Sequence, residues 1–311
     1  MSDPLIVKYR PNSFDEVIGQ DAVVRSLQGI CKRRDAQVFL FTGGSGLGKT
    51  TLSRIVCNQL GVENSAIMEI DAASRNGIDD MRQLQEIIQY RPFSGSGKRA
   101  IILDEFHACS KAAFDSLLKI LEEPPEHVVW CFCTTNATKI PKTLQTRCAK
   151  FDLKLVSEKD LGELYDWVCE QEKIDLPGDV GDLIIKEAQG SPRQLLSNLV
   201  VARTAKTKKE AAGLLRAVEE TKDSIELARF IMNGNGKWSD CMVLLTKLKD
   251  EQPESLRIMV FNYLATCLKN AKSDSDAIAI LQKVESFANP YVGTEGIAPL
   301  LLSIGRALFS E

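Results

Sequence analysis

Gly43-Gly44-Ser45-Gly46-Leu47-Gly48-Lys49-Thr50 is the stretch that decides the fold, because it has the pattern G-x-x-x-x-G-K-T. A strand-like apolar run over 38–42 precedes it and a helical pattern follows, which argues against a chance glycine-rich turn. Such loops bind phosphates through backbone N–H groups at a helix N-terminus, the lysine amine, and a Mg²⁺ ion held by the threonine. We therefore expect a nucleoside triphosphate site formed by Gly44, Ser45, Gly46, Leu47, Gly48, Lys49, Thr50 and Thr51.

Charge and length restrict the class of protein. The 311 residues include 39 Lys and Arg against 42 Asp and Glu, so the net charge is −3. This balance excludes a uniformly basic nucleic-acid binder, and any DNA site must be a local patch. The length is sufficient for two or three domains with a sizeable core.

The nine cysteines lack the density of a secreted disulfide scaffold, so we expect reduced, buried thiols. Cys131 and Cys133 alternate along a predicted strand and share a face, but no second pair with metal-binding spacing exists, so no zinc is expected. The N-terminus lacks a signal pattern, and no apolar run reaches the roughly 18 residues of a membrane span. The sequence therefore predicts a soluble, cytoplasmic protein without a membrane partner.

Short apolar runs at 38–42, 66–70, 100–103, 128–134 and 150–155 alternate with helical patterns, including one over 78–89. This alternation predicts an α/β fold with a doubly wound parallel sheet. Strand patterns stop after about residue 155, and the rest of the sequence is helical, with a break near residue 207. We therefore predict three domains, at 1–155, 156–207 and 208–311.

The run over 100–103 ends in Asp104 and Glu105, at the sheet edge where ligands bind in open α/β folds. We expect Asp104 to hold Mg²⁺ together with Thr50, and Glu105 to polarise an attacking water. The pair thus favours hydrolysis of the nucleotide. The alternative is an acidic strand end that faces solvent.

Three further polar residues are candidates for the same site. Asn136 follows the next strand and could orient water, although an Asn that starts a turn is the simpler interpretation. Arg147 precedes the last strand and suits a finger that reaches a neighbouring subunit's site. Arg193 follows Ser191 and Pro192, a plausible N-cap and first helical residue, and would face the nucleotide. Either arginine, taken alone, could be a solvated surface residue.

The order of these features resembles the AAA+ ATPases of the clamp-loader group. Segments similar to the bacterial DNA polymerase III gamma/tau subunits lie at Lys8-Tyr9-Arg10-Pro11, at 14–20 (FDEVIGQ) and at 121–127 (LEEPPEH). The resemblance covers roughly residues 5–200. It implies an AAA+ nucleotide-binding core, a small helical lid, and a C-terminal helical collar that holds a ring together. The apolar positions of the collar segment are equally compatible with an ordinary helical core.

The resemblance also assigns roles to single residues. Asn136 corresponds to sensor 1, Arg193 to sensor 2, and Arg147 to the arginine finger of the family's Ser-Arg-Cys motif. The family surrounds the adenine base at the positions of Val7, Lys8, Tyr9 and Ile18. ATP and Mg²⁺ are the implied ligands.

The sequence departs from the gamma/tau pattern at several places. The family's zinc-binding cysteine cluster is missing, since Cys57 is the only cysteine between residues 51 and 100. Thr146 replaces the family's serine, and Pro192 and Gln194 replace its commoner Met and Asp. The sequence stops at Glu311 without a polymerase-binding extension. These departures favour a compact phage-type subunit, in a bacterial cell or a phage-infected host.

Clamp loaders enclose DNA within a spiral of subunits, and the equivalent turn of this chain is Arg75, Asn76 and Gly77 before a helix. Helix N-terminal amides and Arg75 suit phosphate contacts, and Lys111 could add another. The alternative for each basic residue is a solvated surface. One contact per subunit would be multiplied around a ring, so the net charge of −3 is no objection.

The leading hypothesis is an ATPase subunit of a clamp loader, with a sliding clamp, primer–template DNA and other loader subunits in a ring or spiral pentamer as partners. The alternatives are a structural subunit that does not hydrolyse ATP, another AAA+ motor of the branch-migration or initiator type, and a P-loop kinase. Intact Lys49, Thr50, Asp104 and Glu105 argue against the structural subunit. An initiator usually has a basic helix-turn-helix near its C-terminus, which this sequence lacks. A kinase has no reason to carry both Arg147 and Arg193.

Overall fold

A computed structural model describes residues 4–74, 77–92, 95–234, 236–249, 251–271, 273–291 and 296–309, with only the backbone described at 78–80 and 217–221. The chain divides into two compact units, Met1–Ala211 and Ala212–Glu311. The finer division of the first unit at residue 155 remains a prediction.

The first unit contains a five-stranded sheet in the order β2-β3-β4-β1-β5, and every neighbouring pair is parallel. The strands are β1 Val38–Thr42, β2 Ile67–Asp71, β3 Arg99–Asp104, β4 Val128–Thr134 and β5 Ala149–Asp152. The predicted parallel α/β sheet is therefore confirmed. The run predicted over 150–155 pairs only to Asp152, because β1, its partner, ends at Thr42.

Both faces of the sheet are buried, as parallel sheets require. Successive residues of β1 and β4 point to opposite faces: Leu40 and Trp130 belong to one core cluster, Phe41 and Cys131 to the other. The helices of the sheet domain are α2 Asp21–Arg33, α3 Lys49–Gln59, α4 Ile78–Ile88, α5 Lys111–Glu122 and α6 Lys142–Gln145. Helices α4 and α5 cover the first face, and α2 and α3 cover the second.

A separate core cluster joins the N-terminal helix to three helices that follow the sheet. These are α1 Leu5–Lys8, α7 Glu158–Glu172, α8 Gly178–Glu187 and α9 Pro192–Ala202. The predicted cap of α9 is present: Ser191 Oγ accepts a hydrogen bond from the Gln194 backbone N–H at 3.3 Å, and Pro192 is the first helical residue. This cap fixes where α9 begins, and with it the position of Arg193.

The second unit is helical throughout the residues that the structure describes. Its helices are α10 Lys208–Asn233, which starts in the first unit, α11 Trp238–Lys247, α12 Pro253–Lys269, α13 Asp274–Ser286 and α14 Ala298–Phe309. They enclose one core that includes Leu227, Val260, Leu264, Phe287 and Ile304. No helix within the described ranges is long and apolar enough to cross a membrane.

Candidate functional site

The glycine-rich loop connects β1 to α3 at the carboxyl edge of the sheet. Gly48 caps α3 with a φ of 99°, a left-handed conformation that favours glycine. The Lys49 amine donates to the carbonyl oxygens of Gly43 at 2.9 Å and Gly44 at 2.7 Å, so the loop curls around this side chain. Burial lowers the pKa of Lys49, and the nearby carboxylates of Asp104 and Glu105 oppose that shift. An anionic phosphate would add to their effect and favour the charged amine.

The same loop lies against the first turn of α9. A Cβ atom at Gly46, whose φ is 76°, would come within 2.3 Å of Ser191 Oγ and 3.1 Å of Arg193 Cβ. Only glycine permits this approach, and it brings Arg193 to the cavity that the loop borders. Arg193 lies close enough to Lys49 for its charge to contribute to lowering the lysine pKa. Two cations are thus held beside each other where phosphates would bind.

The pair predicted to hold Mg²⁺ is in contact. Thr50 Oγ1, in the first turn of α3, donates to Asp104 Oδ2 at the end of β3 over 2.9 Å. A hydroxyl and a carboxylate are ligands that Mg²⁺ accepts, usually together with waters and phosphate oxygens. The donor set therefore fits the expected ion, and these two residues would hold it.

Glu105 follows Asp104 with a φ of 47°, a left-handed conformation that is uncommon for a residue other than glycine. Its Oε2 accepts a hydrogen bond from Thr135 Oγ1 at 3.2 Å and lies 3.3 Å from His107 Nδ1. The same imidazole nitrogen is 3.1 Å from Thr134 Oγ1 on β4. The carboxylate is thus oriented by neighbours from two segments, and its side chain is 39% exposed, which leaves it open to water.

Asn136 follows β4 and forms local side-chain hydrogen bonds. Its Oδ1 accepts from the Thr138 backbone N–H at 3.2 Å and from Thr138 Oγ1 at 2.6 Å, capping a short 3-10 helix. It is also not among the residues that line the cavity. Its acceptor oxygen is thus engaged locally, and the role of its amide in orienting water remains a prediction.

One cavity of the first unit brings most of the predicted nucleotide ligands together. It is lined by Ser45, Gly46, Leu47, Gly48, Lys49, Thr50, Thr51, Asp104, Glu105 and Arg193, and also by Lys8, Tyr9 and Ile18. Gly44 contributes its carbonyl to Lys49 but does not line the cavity. Val7 is 55% exposed on α1 and is not among the residues that line the cavity, so its contact with the base remains a prediction.

Sequence reasoning missed two lining residues on α7, Leu164 and Trp167. They are separated from the glycine-rich loop by more than 100 positions, and an aromatic residue in an amphipathic helix gives no signal of a ligand. The contact of Tyr9 with Trp167 links the N-terminal segment to this helix, with ring centroids 5.2 Å apart.

Arg147 lies outside this cavity. Its Nη1 donates to the Thr143 carbonyl at 2.6 Å, and its Nη2 pairs with Glu122 Oε1 at 2.5 Å. The side chain is 30% exposed, so its guanidinium is held at the surface near the end of α5. This position leaves no role for it in its own chain's cavity.

Two of the four residues predicted to contact DNA, Arg75 and Asn76, lie outside the described residues. Gly77 directly precedes α4, and Lys111 is the exposed first residue of α5, whose N-cap is Ser110. Both described residues therefore sit at helix N-termini, where backbone amides favour anions.

The cysteines near the site are structural. Cys131 and Cys133 both face α3, where Cys57 Sγ lies 3.8 Å from Cys131 Sγ and Ser53 Oγ lies 3.2 Å from Cys133 Sγ. Burial raises the pKa of Cys133 to about 12, so this thiol stays protonated. Within the part of the chain that the structure describes, no group of three or more His, Cys, Asp or Glu residues could hold a metal ion.

Solved structures share this architecture and indicate the fold. The Thermotoga maritima RuvB Holliday junction branch migration motor matches with a TM-score of 0.56 and 20% identity, over 72% of this chain and 79% of that one. Together with the sheet order and the P-loop, this likeness shows an α/β AAA+ fold with a helical C-terminal region.

Proteins similar in sequence indicate which AAA+ proteins this chain resembles. The family model described as DNA polymerase III, delta subunit, matches residues 62–157. The DNA polymerase III subunit gamma/tau of Mycobacterium tuberculosis is 36% identical over 62% of this chain and 37% of its own length, and the tau subunit of Escherichia coli is 29% identical over 74% and 40%. The resemblance to clamp-loader AAA+ subunits is thus confirmed. The chain spans less than half the length of these relatives.

Proposed function

We propose that this chain is an ATPase subunit of a DNA sliding-clamp loader. The observation that carries the proposal is the convergence of Lys49, the Thr50–Asp104 pair, Glu105 and Arg193 on one cavity. A protein that only stored nucleotide would need no exposed carboxylate beside the phosphates. The similarity to gamma/tau subunits supports the replication context.

Each residue has a distinct part in the proposed hydrolysis. Lys49 and the loop amides bind the β- and γ-phosphates, and Arg193 meets the γ-phosphate from the lid. Mg²⁺, held by Thr50 and Asp104, would neutralise phosphate charge. Glu105 orients and polarises the attacking water, in the orientation set by Thr135 and His107.

Assembly would complete the site. Because Arg147 is at the surface and away from its own cavity, it is suited to act on ATP bound by a neighbouring subunit. We propose that ATP binding aligns subunits in a ring or spiral, opens the clamp and admits primer–template DNA, and that hydrolysis releases the loaded clamp. Lys111, Gly77, Arg75 and Asn76 are the proposed DNA contacts.

Single substitutions in the ATPase test this function. Lys49→Ala should abolish ATP binding, whereas Glu105→Gln should bind ATP with near-normal affinity and lose turnover by about 10² to 10⁴-fold, the usual contribution of a positioned base. Glu86→Gln is the matched control. It makes the same exchange at an exposed glutamate on α4 and should leave ATP affinity and turnover unchanged. Binding is measured calorimetrically and turnover by phosphate release with clamp and DNA. Full turnover in Glu105→Gln would contradict the assigned role.

The fold relatives do not favour a branch-migration motor over a loader. At 20% identity, the RuvB likeness shows only the shared fold, whereas the relatives matched by sequence are replication subunits. A loader and a branch-migration motor are distinguished by the DNA that stimulates turnover: primer–template with a clamp for the first, four-way junctions for the second.

A further inference from the structure

Part of the cavity wall is aromatic, and phosphate binding does not explain it. Tyr9, which follows α1, and Trp167 on α7 both line the cavity. Their ring planes meet at 85°, so the edge of one ring contacts the face of the other. This arrangement is favourable in itself.

Tyr9 is fixed from the same helix that carries Trp167. Its hydroxyl donates to Glu172 Oε1 at 2.7 Å, and Lys8 Nζ donates to the same oxygen at 2.6 Å. Glu172 lies five residues after Trp167 on α7, and its side chain is only 15% exposed. One helix therefore provides both the indole and the carboxylate that holds Tyr9 against it.

Trp167 itself is incompletely packed. It remains 47% exposed although it contacts Tyr9 and lines a cavity with Leu164. Tryptophan is usually well buried in folded proteins, so a half-exposed indole at the wall of a ligand cavity provides a flat surface for another ring. The residues expected to bind phosphates, Lys49, Thr50 and Arg193, line the same cavity, so a base on this indole and its triphosphate would share one site.

We propose that Trp167 is the base-stacking residue of the ATP site, with Tyr9 supporting its indole through the edge contact. The proposal rests on the proposed function, because it requires ATP in this cavity. Stacking on an aromatic side chain depends on ring overlap rather than hydrogen bonds, so Trp167 should discriminate nucleotides from base-free triphosphate. Removal of one such stack typically weakens binding by between about fivefold and 150-fold.

Calorimetric titration of the full chain with ATP and with inorganic tripolyphosphate tests the proposal. Trp167→Ala should weaken ATP binding by about fivefold to 150-fold and leave tripolyphosphate binding unchanged. Trp167→Phe keeps an aromatic face and should retain most of the ATP affinity. Trp238→Ala is the matched control, since Trp238 is 37% exposed in the other unit, and it should bind both ligands as the wild type does.

Tryptophan fluorescence gives a second readout that a purely structural role would not produce. The chain has three tryptophans, and Trp130 is fully buried in the sheet core. ATP should quench the emission of the wild type and of Trp238→Phe, but not that of Trp167→Phe. Tripolyphosphate should leave all three emissions unchanged.

Two results would overturn the proposal while leaving the proposed function intact. One is normal ATP affinity in Trp167→Ala; the other is an equal loss for ATP and tripolyphosphate, which would indicate a general disturbance of the fold. A wild-type chain that binds neither ligand would overturn the proposed function, and this proposal with it. If the wild type binds ATP and tripolyphosphate and Lys49→Ala binds neither, the nucleotide site is established, and the result for Trp167→Ala then tests the stacking proposal alone.

Discussion

The environment of Glu105 depends on one side chain that is near it in sequence, His107, and on one that is distant, Thr135. The acid at a strand end could be predicted from Asp104-Glu105, because strand and motif are local patterns. The groups that orient its carboxylate, Thr135 and His107, were not predicted, since only the pairing of β3 with β4 brings Thr135 to it. The cap formed by Asn136 Oδ1 is a local feature that the sequence offered as the simpler interpretation, and its water-orienting role remains a prediction.

If Thr135 orients Glu105 for water activation, Thr135→Val should lower kcat by about tenfold or more and leave the Kd for ATP nearly unchanged. The reason is that the lost hydrogen bond positions a base and does not contact the phosphates. Thr246→Val, which removes an exposed hydroxyl in the other unit, is the control. Stopped-flow phosphate release and nucleotide titration separate the two parameters. A rise in Kd with unchanged kcat would assign Thr135 to binding instead.

At the scale of elements, the contact between the glycine-rich loop and α9 connects the two parts of the site. The start of α9 was predictable, because Ser191 and Pro192 are strong signals of a helix N-terminus. The approach of Gly46 to that cap was not, since Gly46 occupies a variable position of the motif and its partner comes more than 140 residues later. The five strands were predictable from apolar runs, but their order in the sheet follows from packing that no local pattern encodes.

Gly46→Ala should lower the free energy of unfolding by about 2 to 3 kcal/mol. Its left-handed φ costs a non-glycine residue about 1 to 2 kcal/mol, and displacing the Ser191 cap costs about 1 kcal/mol more. Gly213→Ala is the matched control: its Cβ would meet nothing within 4 Å in helix α10, so it should be neutral or slightly stabilising. Urea denaturation measures both variants. Equal midpoints for the two would show that the loop and the cap adjust without cost.

At the scale of the whole molecule, the chain places its nucleotide cavity in the first unit and a separate helical core in the second. The sequence predicted a loss of strand patterns near residue 155 and a helical break near 207, and the three-domain division drawn from them remains a prediction. The position of Arg147 before the last strand suggested a contribution to a neighbouring subunit's site, and the family resemblance added the ring or spiral assembly; both remain predictions.

An arginine that acts on ATP bound by a neighbouring subunit should affect hydrolysis by the assembly and not ATP binding by its own chain. Arg147→Ala should leave ATP binding intact in its own cavity and lower hydrolysis by assembled subunits by about 10³-fold or more. Because the residue contacts Glu122 rather than the cavity, the loss should appear only on assembly. Mixing Arg147→Ala with excess Lys49→Ala subunits should restore part of the turnover, by pairing intact cavities with intact fingers. Mixtures that never recover activity would exclude a shared site.

The second unit depends on a buried arginine that joins three of its segments. Arg257 on α12, only 8% exposed, donates from Nη1 to the Phe287 carbonyl at 2.6 Å and from Nε and Nη2 to Glu254. Glu254 Oε2 also accepts from the Tyr291 backbone N–H at 2.9 Å. The hydrogen bonds from Arg257, followed by that from Tyr291, lower the pKa of Glu254 below its ordinary value.

Arg257→Met should therefore destabilise the second unit by about 1 to 3 kcal/mol, because it leaves the Phe287 carbonyl without its side-chain donor and the Glu254 carboxylate with only the Tyr291 N–H. Since the folded pKa of Glu254 is lowered, its contribution is present above the ordinary carboxyl pKa and is lost as pH falls through the lowered value. The wild type should lose stability in that acidic range, and Arg257→Met should lose less. The Kd for ATP should not change, because the cavity is lined only by residues of the first unit. Urea denaturation at neutral and at acidic pH measures the stability and its pH dependence. Titration of the folded variant with ATP measures the Kd. An identical acid dependence in variant and wild type would show that Glu254 does not couple to stability through Arg257.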